Sequence, residues 1–207
     1  EMIKDIGANG HVSVEDNWAT QYGITTETIL GMKFYGTYAT SYMMTNRFKE
    51  AVAENAPVIV VDLPANREIE EIGSFQKIFE ELKKQGNMKF VIFAAKYSTK
   101  LVEQLAQVAR GFHEGKQMQI LAVKCPSLTT EELKDLAAYC KADLIDLSVG
   151  SNLRDIKMHN LGFVKKVVVT QDDVIITGGN GDVTKRLEEL IAQRDLEKDV
   201  MFKNKLE

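Results

Sequence analysis

Cysteine is scarce in this chain: Cys125 and Cys140 are the only two, and no C-x-x-C occurs. That gives no support to a disulfide framework and reads as two reduced thiols of a cytosolic protein. Positive charge is not in surplus either. The 26 Lys and Arg stand against 30 Asp and Glu, a formal net charge of −4, so no basic field draws the chain to nucleic acid. Long apolar runs are missing. Val58 to Val61 and Phe90 to Ala95 are the longest, far too short to span a bilayer. No secretory signal pattern opens the chain, and there is no internal repeat or low-complexity tract. With 44% hydrophobic and 27% charged residues in 207, the chain has room for one or two globular domains with a real core. Glu1 to Asp5 read like the interior of a longer protein, and Leu206-Glu207 like a cloning remnant.

The body of the chain alternates strand and helix patterns. In the front stretch, Gly10 to Glu15 alternates like a strand. Pro57 to Asp62 reads as a buried strand. Ile69, Ile72, Phe75, Ile78, Phe79 and Leu82 then recur at helical spacing, with Gly86 as a stop. Phe90 to Ala95 is a second buried strand. Leu101, Val102, Leu105, Val108 and Ala109 mark a second helix that ends at Gly111. Ile120 to Val123 is a third strand, closed by Pro126. Thr129-Thr130-Glu131-Glu132 offers a capping box for a third helix, with Leu133, Leu136, Ala137 and Cys140 inside. Leu144 to Leu147 is a fourth strand. Strands alternating with such helices predict a parallel α/β core. Residues 164–177 instead predict an antiparallel hairpin turning at Gln171-Asp172-Asp173. A last helix is capped by Asp182, with Val183, Leu187, Leu190 and Ile191 on one side.

Few residues carry obvious chemistry. Gly178-Gly179-Asn180-Gly181-Asp182 leads into a helix, as a phosphate cradle would. It lacks the Lys-Ser/Thr of a P-loop, no G-x-G-x-x-G register fits, and an aspartate at the helix start repels phosphate. A turn or hinge is the simpler reading. His11, His113 and His159 show no metal-ligand spacing. Ser148 and Ser151 lie near glycines without a G-x-S-x-G. Asp62, Asp143 and Asp146 sit at strand edges, where catalytic acids occur but loop caps are commoner. More unusual is the crowding of Tyr35, Tyr38, Tyr42, Met43 and Met44 in a polar, turn-prone stretch. Such adaptable side chains suit a surface that binds varied partners, and equally a satellite core under a loop.

Two segments carry a resemblance to a known family. Gly31-Met32-Lys33-Phe34 with Gly36-Thr37-Tyr38-Ala39-Thr40-Ser41-Tyr42-Met43-Met44 resembles the G-M-x-F-x-x-G-Y-x-S-x-Y-F stretch of group I, GroEL-type chaperonins. Lys166 to Val169, with Asp172 to Asp182, resembles their K-R-V-V-x-x-K-D-x-T-T-I-I-x-G-x-G stretch. The spacing also holds without gaps from Gly86 to Arg110-Gly111, and Val123-Lys124-Cys125-Pro126 is similar to the family's V-K-A-P. Ile6 to Asp16 is similar to an intermediate-domain segment. The resemblance departs where Ser127 to Glu132 replaces G-F-G-D-R-R, where His113 to Gln117 lengthens a loop, and where Phe202, with Asp199 nearby, stands at the position of the family's ATP-hydrolysing aspartate. These departures are those of a remote member, such as a phage would encode.

The resemblance implies an α/β fold: an apical-domain-like core of parallel strands and flanking helices, plus an antiparallel hairpin and an α+β intermediate-domain remnant. Residues 1–30 would be the N-terminal intermediate stub, 31–178 the polypeptide-binding apical domain, and 179–207 the C-terminal intermediate helix. Carried over by position, the polypeptide-binding residues would be Tyr38, Thr40, Tyr42, Met43, Phe79, Leu101, Leu105, Ala106 and Gln107. Gln76 replaces a leucine usual in that face. Gly31 and Gly179 would be the hinge residues. No catalytic residue and no metal site is assigned. The implied function is a chaperone fragment that holds unfolded polypeptides, and a co-chaperonin loop if one exists, in a groove between two helices. ATP and Mg would bind an equatorial domain absent from this chain. The full-length protein would form a homo-oligomeric ring in the cytoplasm (the host's, for a phage protein), with the fragment alone monomeric and without nucleic-acid or membrane partners. Two rival readings are an α/β domain that binds phosphate or nucleotide, and a purely structural assembly domain.

Overall fold

The computed structural model describes residues 31–113 and 118–182, together with residues 184, 186, 188, 190 and 192. The strand-like stretch at 10–15, His11, the loop at 114–117, the side chains of His113, Val183, Leu187 and Ile191, and the residues around Phe202 lie outside them.

Three apolar strands make the centre. They are β3 (Ala51–Asp62), β4 (Lys89–Ala94) and β5 (Gln119–Lys124), running parallel in that order. Their middles, Val58 to Val61, Phe90 to Ala94 and Leu121 to Val123, are buried on both faces. Continuous Val/Ile/Phe runs behave this way only when helices cover both sides of a parallel sheet. Helix α1 (Gln76–Lys84) joins β3 to β4, and α2 (Thr99–His113) joins β4 to β5. Helix α3 (Thr130–Cys140) then carries the chain back to β6 (Leu144–Asp146), which pairs parallel with the far end of β3. Right-handed crossovers place α1 and α2 on one face, and the return direction places α3 on the other.

The antiparallel part extends this core. The first half of β3 pairs with β7 (Gly162–Val169), β7 with β8 (Asp173–Gly179), and β8 with the edge strand β1 (Gly31–Tyr35). Across the sheet, the short β2 (Thr37–Tyr38) closes the other edge on β5. The sheet is therefore mixed, as the strand and hairpin patterns predict. The hairpin turn is tied by the Thr170 hydroxyl, which accepts the Asp173 N–H at 2.9 Å.

Two elements differ from the sequence reading. Strand β3 begins at Ala51, six residues before Pro57, because its polar-looking first half has β7 to pair with. Ile69 is not helical. It forms a parallel bridge with Tyr97, fixed by the Ser98 N–H donating to its carbonyl at 2.9 Å, and the chain turns through a 3-10 segment at Ile72–Phe75 before α1 starts. The capping box of α3 forms as read, Thr129 accepting from the Glu132 N–H and Glu132 accepting from the Thr129 N–H. Its other end closes through Lys141 in the left-handed region, φ 57°.

Both cysteines are free and buried, and burial pushes each thiol from 9.0 up to about 12. Tyr97 is also buried, its hydroxyl between the carbonyls of Ile92 (2.9 Å) and Val123 (3.0 Å), and burial raises its phenol well above 10.0. These groups stay neutral in the fold while the unfolded chain would ionise them. Their stabilisation is complete below pH 9 and is lost as pH rises from 9 towards 12, by up to about 1.4 kcal/mol per thiol per pH unit. Urea denaturation midpoints should therefore fall steadily above pH 9, and a thiol reagent at pH 8 should modify neither cysteine until the protein unfolds.

Candidate functional site

The front segment, α1 and α2 lie on the same side of the molecule. Tyr38 ends in β2 beside Val123, and the chain then makes a 3-10 turn at Ser41–Met43. This turn rests on the C-terminal half of α2. The Arg110 guanidinium stacks over the Tyr42 ring, 4.1 Å from its centroid. Met43 is buried beneath, and a space of about 10 Å³, room for one water, remains among Tyr42, Met43, Ala109 and Phe112. The Tyr38 hydroxyl reaches the Met44 sulfur at 3.5 Å.

Helix α2 spends its inner face on the core. Leu101, Leu105 and Ala109 fall at i, i+4 and i+8 and are 0%, 1% and 5% exposed. On one flank, Val102, Ala106 and Arg110 line up towards the Tyr42 turn. On the other, Gln104 accepts the Ile72 N–H at 3.0 Å and joins α2 to the lead-in of α1. Glu71 adds ion pairs to Lys100 (3.2 Å) and Arg154 (3.4 Å), solvated contacts that contribute little to stability. Helix α1 is polar outside, where Gln76, Lys77, Glu80, Glu81, Lys83 and Lys84 are exposed. Its Phe79 is half-buried, edge-on to Phe90 at 5.5 Å and beside Phe75 at 6.1 Å.

The predicted binding residues therefore fall at different depths. Tyr42 (46% exposed) and Gln107 reach solvent, and Thr40, Phe79 and Ala106 are half-buried. Tyr38, Met43, Leu101 and Leu105 are buried, so in this conformation they form the floor of the face and not its surface. The reason is geometric: covering the parallel sheet takes the same α2 stripe that the resemblance assigns to the groove. Sequence reading missed half-buried Val102 and exposed Arg110 as members of this face. Val102 has the right flank spacing from Ala106, whereas the Arg110–Tyr42 stack joins residues too distant in sequence to leave a local signal.

The two predicted hinge glycines come close together. Gly31 pairs with Thr177 across β1 and β8, two residues before Gly179. The glycine stretch offers no phosphate cradle. The Gly181 N–H donates to the Tyr139 carbonyl at 2.9 Å, and the Asp182 carboxylate caps the following helix by accepting the Thr184 N–H at 3.0 Å. An acceptor of the protein's own thus fills the place a phosphate would take. Asp146 and Asp143 cap loops: Asp146 accepts from the Ser148 hydroxyl, which with the Ser148 N–H (2.7 Å) holds its carboxyl below the ordinary range, and Asp143 accepts from the Asn160 amide at 2.7 Å. A larger hollow of about 350 Å³ lies by Thr45, Glu54, Lys89 and Gln119, but Lys89 and Gln119 already donate to the Glu54 and Val52 carbonyls.

No family model matches the sequence. Over 212 aligned residues it is 27% identical to the chaperonin GroEL of Carsonella ruddii (strain PV), an alignment covering 96% of this chain and 38% of the relative. Among solved structures, the fold is similar to that of the chaperonin gp146 from the bacteriophage EL 2 (Pseudomonas aeruginosa), crystallised in the presence of ATP-BeFx. The TM-score is 0.55 and the identity 16%, over 83% of this chain and 32% of that one. The chain thus spans less than two fifths of either relative.

The depth difference has a measurable consequence. Leu105→Ala should destabilise the domain by about 2–5 kcal/mol, whereas Gln107→Ala, at an exposed position of the same helix, should shift it by less than about 1 kcal/mol. Urea unfolding followed by circular dichroism distinguishes the two classes.

Proposed function

We infer that this divergent GroEL-type chaperonin apical domain holds apolar segments of unfolded polypeptides on the face formed by α2 and the Tyr42 turn. The observation that carries the reading is the apolar strip of exposed Tyr42 with half-buried Val102 and Ala106 along the edge of the core, in the part of the chain whose sequence follows the chaperonins. Phe79 borders the strip, Gln107 offers an amide to a bound backbone, and Thr40 a hydroxyl. Tyr38, Met43, Leu101 and Leu105 set the shape of the face from below.

The polar outer side of α1 makes the face one-sided. A client side chain would lie against α2 and the tyrosine and leave its other side to water. Burying one large side chain fully contributes roughly 1.5–3 kcal/mol, so a single face would bind weakly and without strict sequence preference. In a homo-oligomeric ring, several such faces acting on one client would raise avidity. The longer protein would draw ATP and Mg to a separate domain and hydrolyse ATP there, in the cytoplasm. Gly31 and Gly179 would serve as the hinge between residues 31–178 and flanking intermediate-domain segments at 1–30 and 179–207. A co-chaperonin loop, where one exists, would compete for the same face.

The test is binding of a fluorescently labelled, chemically unfolded protein, read by anisotropy. Ala106→Ser and Tyr42→Ala variants, each confirmed folded by circular dichroism, should together weaken binding about tenfold, the equivalent of roughly 1.4 kcal/mol. Folded variants that bind as tightly as the parent would move the client site elsewhere.

A further inference from the structure

Helix α1 borders the proposed face yet has no cap of its own. The leading N–H groups of a helix find no partner within it and ordinarily take a Ser, Thr, Asp or Asn side chain from the residue just before. Glu71 precedes the 3-10 lead-in Ile72–Phe75, and Phe75 precedes α1 itself, and neither side chain bonds the donors that follow. The cap comes instead from the neighbouring helix. Gln104 of α2, 32 residues further along, accepts the Ile72 N–H at 3.0 Å through its amide oxygen.

This bond closes a row of ties between the approaches to the two helices. The Ile69 N–H donates to the Lys96 carbonyl at 3.2 Å, and the Ser98 N–H to the Ile69 carbonyl at 2.9 Å. The Ser98 hydroxyl donates to the Glu70 carbonyl at 2.6 Å. Just beyond, the chain turns and departs as α1, so Gln104 grips it where the direction of the helix is set. Downstream, α1 buries Ile78 and Leu82 and leaves Phe79 half-buried, edge-on to Phe90 at 5.5 Å. A side chain at that depth gains or loses accessible apolar area with a small rotation of its helix. Gln104 itself lies two residues from both Val102 and Ala106, on the opposite flank of α2, and so acts on the face only through α1.

We propose that Gln104 is a positioning residue of that face: it caps α1 from α2 and thereby fixes where α1 holds Phe79. The cap rests on the geometry. Its importance to clients rests on the polypeptide-binding reading above. A cap supplied by a neighbour differs from a local one, because it fixes the start of the helix and its placement in a single contact. Glutamine suits the task. Its long side chain reaches across, and its amide oxygen accepts without placing a charge beside Glu71, whose carboxylate Lys100 and Arg154 already share.

Two substitutions separate the acceptor from the bulk of the side chain. Gln104→Met keeps the length and removes the acceptor. Gln104→Glu keeps an acceptor, and a carboxylate at a helix N-terminus is favoured. Amide exchange followed by NMR on the whole chain reads the cap. In Gln104→Met, Ile72 and the first turn of α1 should exchange about tenfold faster, while the β3, β4 and β5 amides keep the parent's protection. Binding of the labelled unfolded protein should weaken about threefold in the same variant. Gln104→Glu should return both readings to the parent's. Parent-like exchange at Ile72 in Gln104→Met overturns the cap. Fast exchange there with parent-like binding overturns the positioning role. So do fast exchange and weak binding that Gln104→Glu fails to reverse, since the acceptor would then not be what matters. A parent that binds no unfolded protein removes the client reading and with it the role at the face, while the exchange result still decides the cap.

Discussion

The parallel strands β3, β4 and β5 are apolar on both faces, and the rest of the structure answers to that fact. Val58 to Val61, Phe90 to Ala94 and Leu121 to Val123 have no solvent-facing side, so each face of the sheet must be roofed. Helices α1 and α2 roof one face and α3 the other. What these helices can offer to a partner is limited to what the roofing does not use. Leu101, Leu105 and Ala109 are committed downwards, so only the flanks of α2 remain for contact.

This limit explains why the candidate face is built jointly. One helical flank is a narrow strip. The Ser41–Met43 turn widens it by laying Tyr42 alongside, with Met43 as the buried anchor and the Arg110 guanidinium fixing the ring from above. An exposed tyrosine held by a stacked cation keeps apolar area at the surface without being free to collapse into the core. On the far side, Gln104 uses its side chain to join α2 to the α1 lead-in, and the outer side of α1 is left to lysine, glutamate and glutamine. A face of this kind suits short, weak, repeated contacts better than one tight pocket, which agrees with the small packed space beneath Tyr42.

The same sheet brings the two glycines read as hinges to one edge. Gly31 and Gly179 lie near each other because β1 and β8 pair at the sheet's outer edge, so the two predicted hinge points share one corner. There the α3 backbone comes within contact of the glycine stretch, and Arg186 reaches across to Asp135 and Glu131.

Much of this was legible in the chain. Unbroken Val/Ile/Phe runs announced the central strands, Thr129 to Glu132 the cap of α3, and Gln171 to Asp173 the hairpin turn, because caps, turns and buried runs depend on residues close in sequence. The similarity of the two bracketing segments to chaperonins indicated the fold that the structure shows. Other features depended on contacts between distant residues. The pairing that extends β3 back to Ala51 needs β7, more than a hundred residues later. The irregular path at Ile69 needs Tyr97. The depth of each site residue needed the sheet itself: Leu101 and Ala106 look alike as apolar members of one helix, and only their angle to the strands makes one floor and the other surface. Sequence alone determined the middles of the central strands, the helix cap and the hairpin turn, since those choices are settled within a few residues. Tertiary structure alone decided which apolar side chains remain accessible and which charges meet, because burial and ion pairing are properties of surfaces that exist only once distant segments have packed.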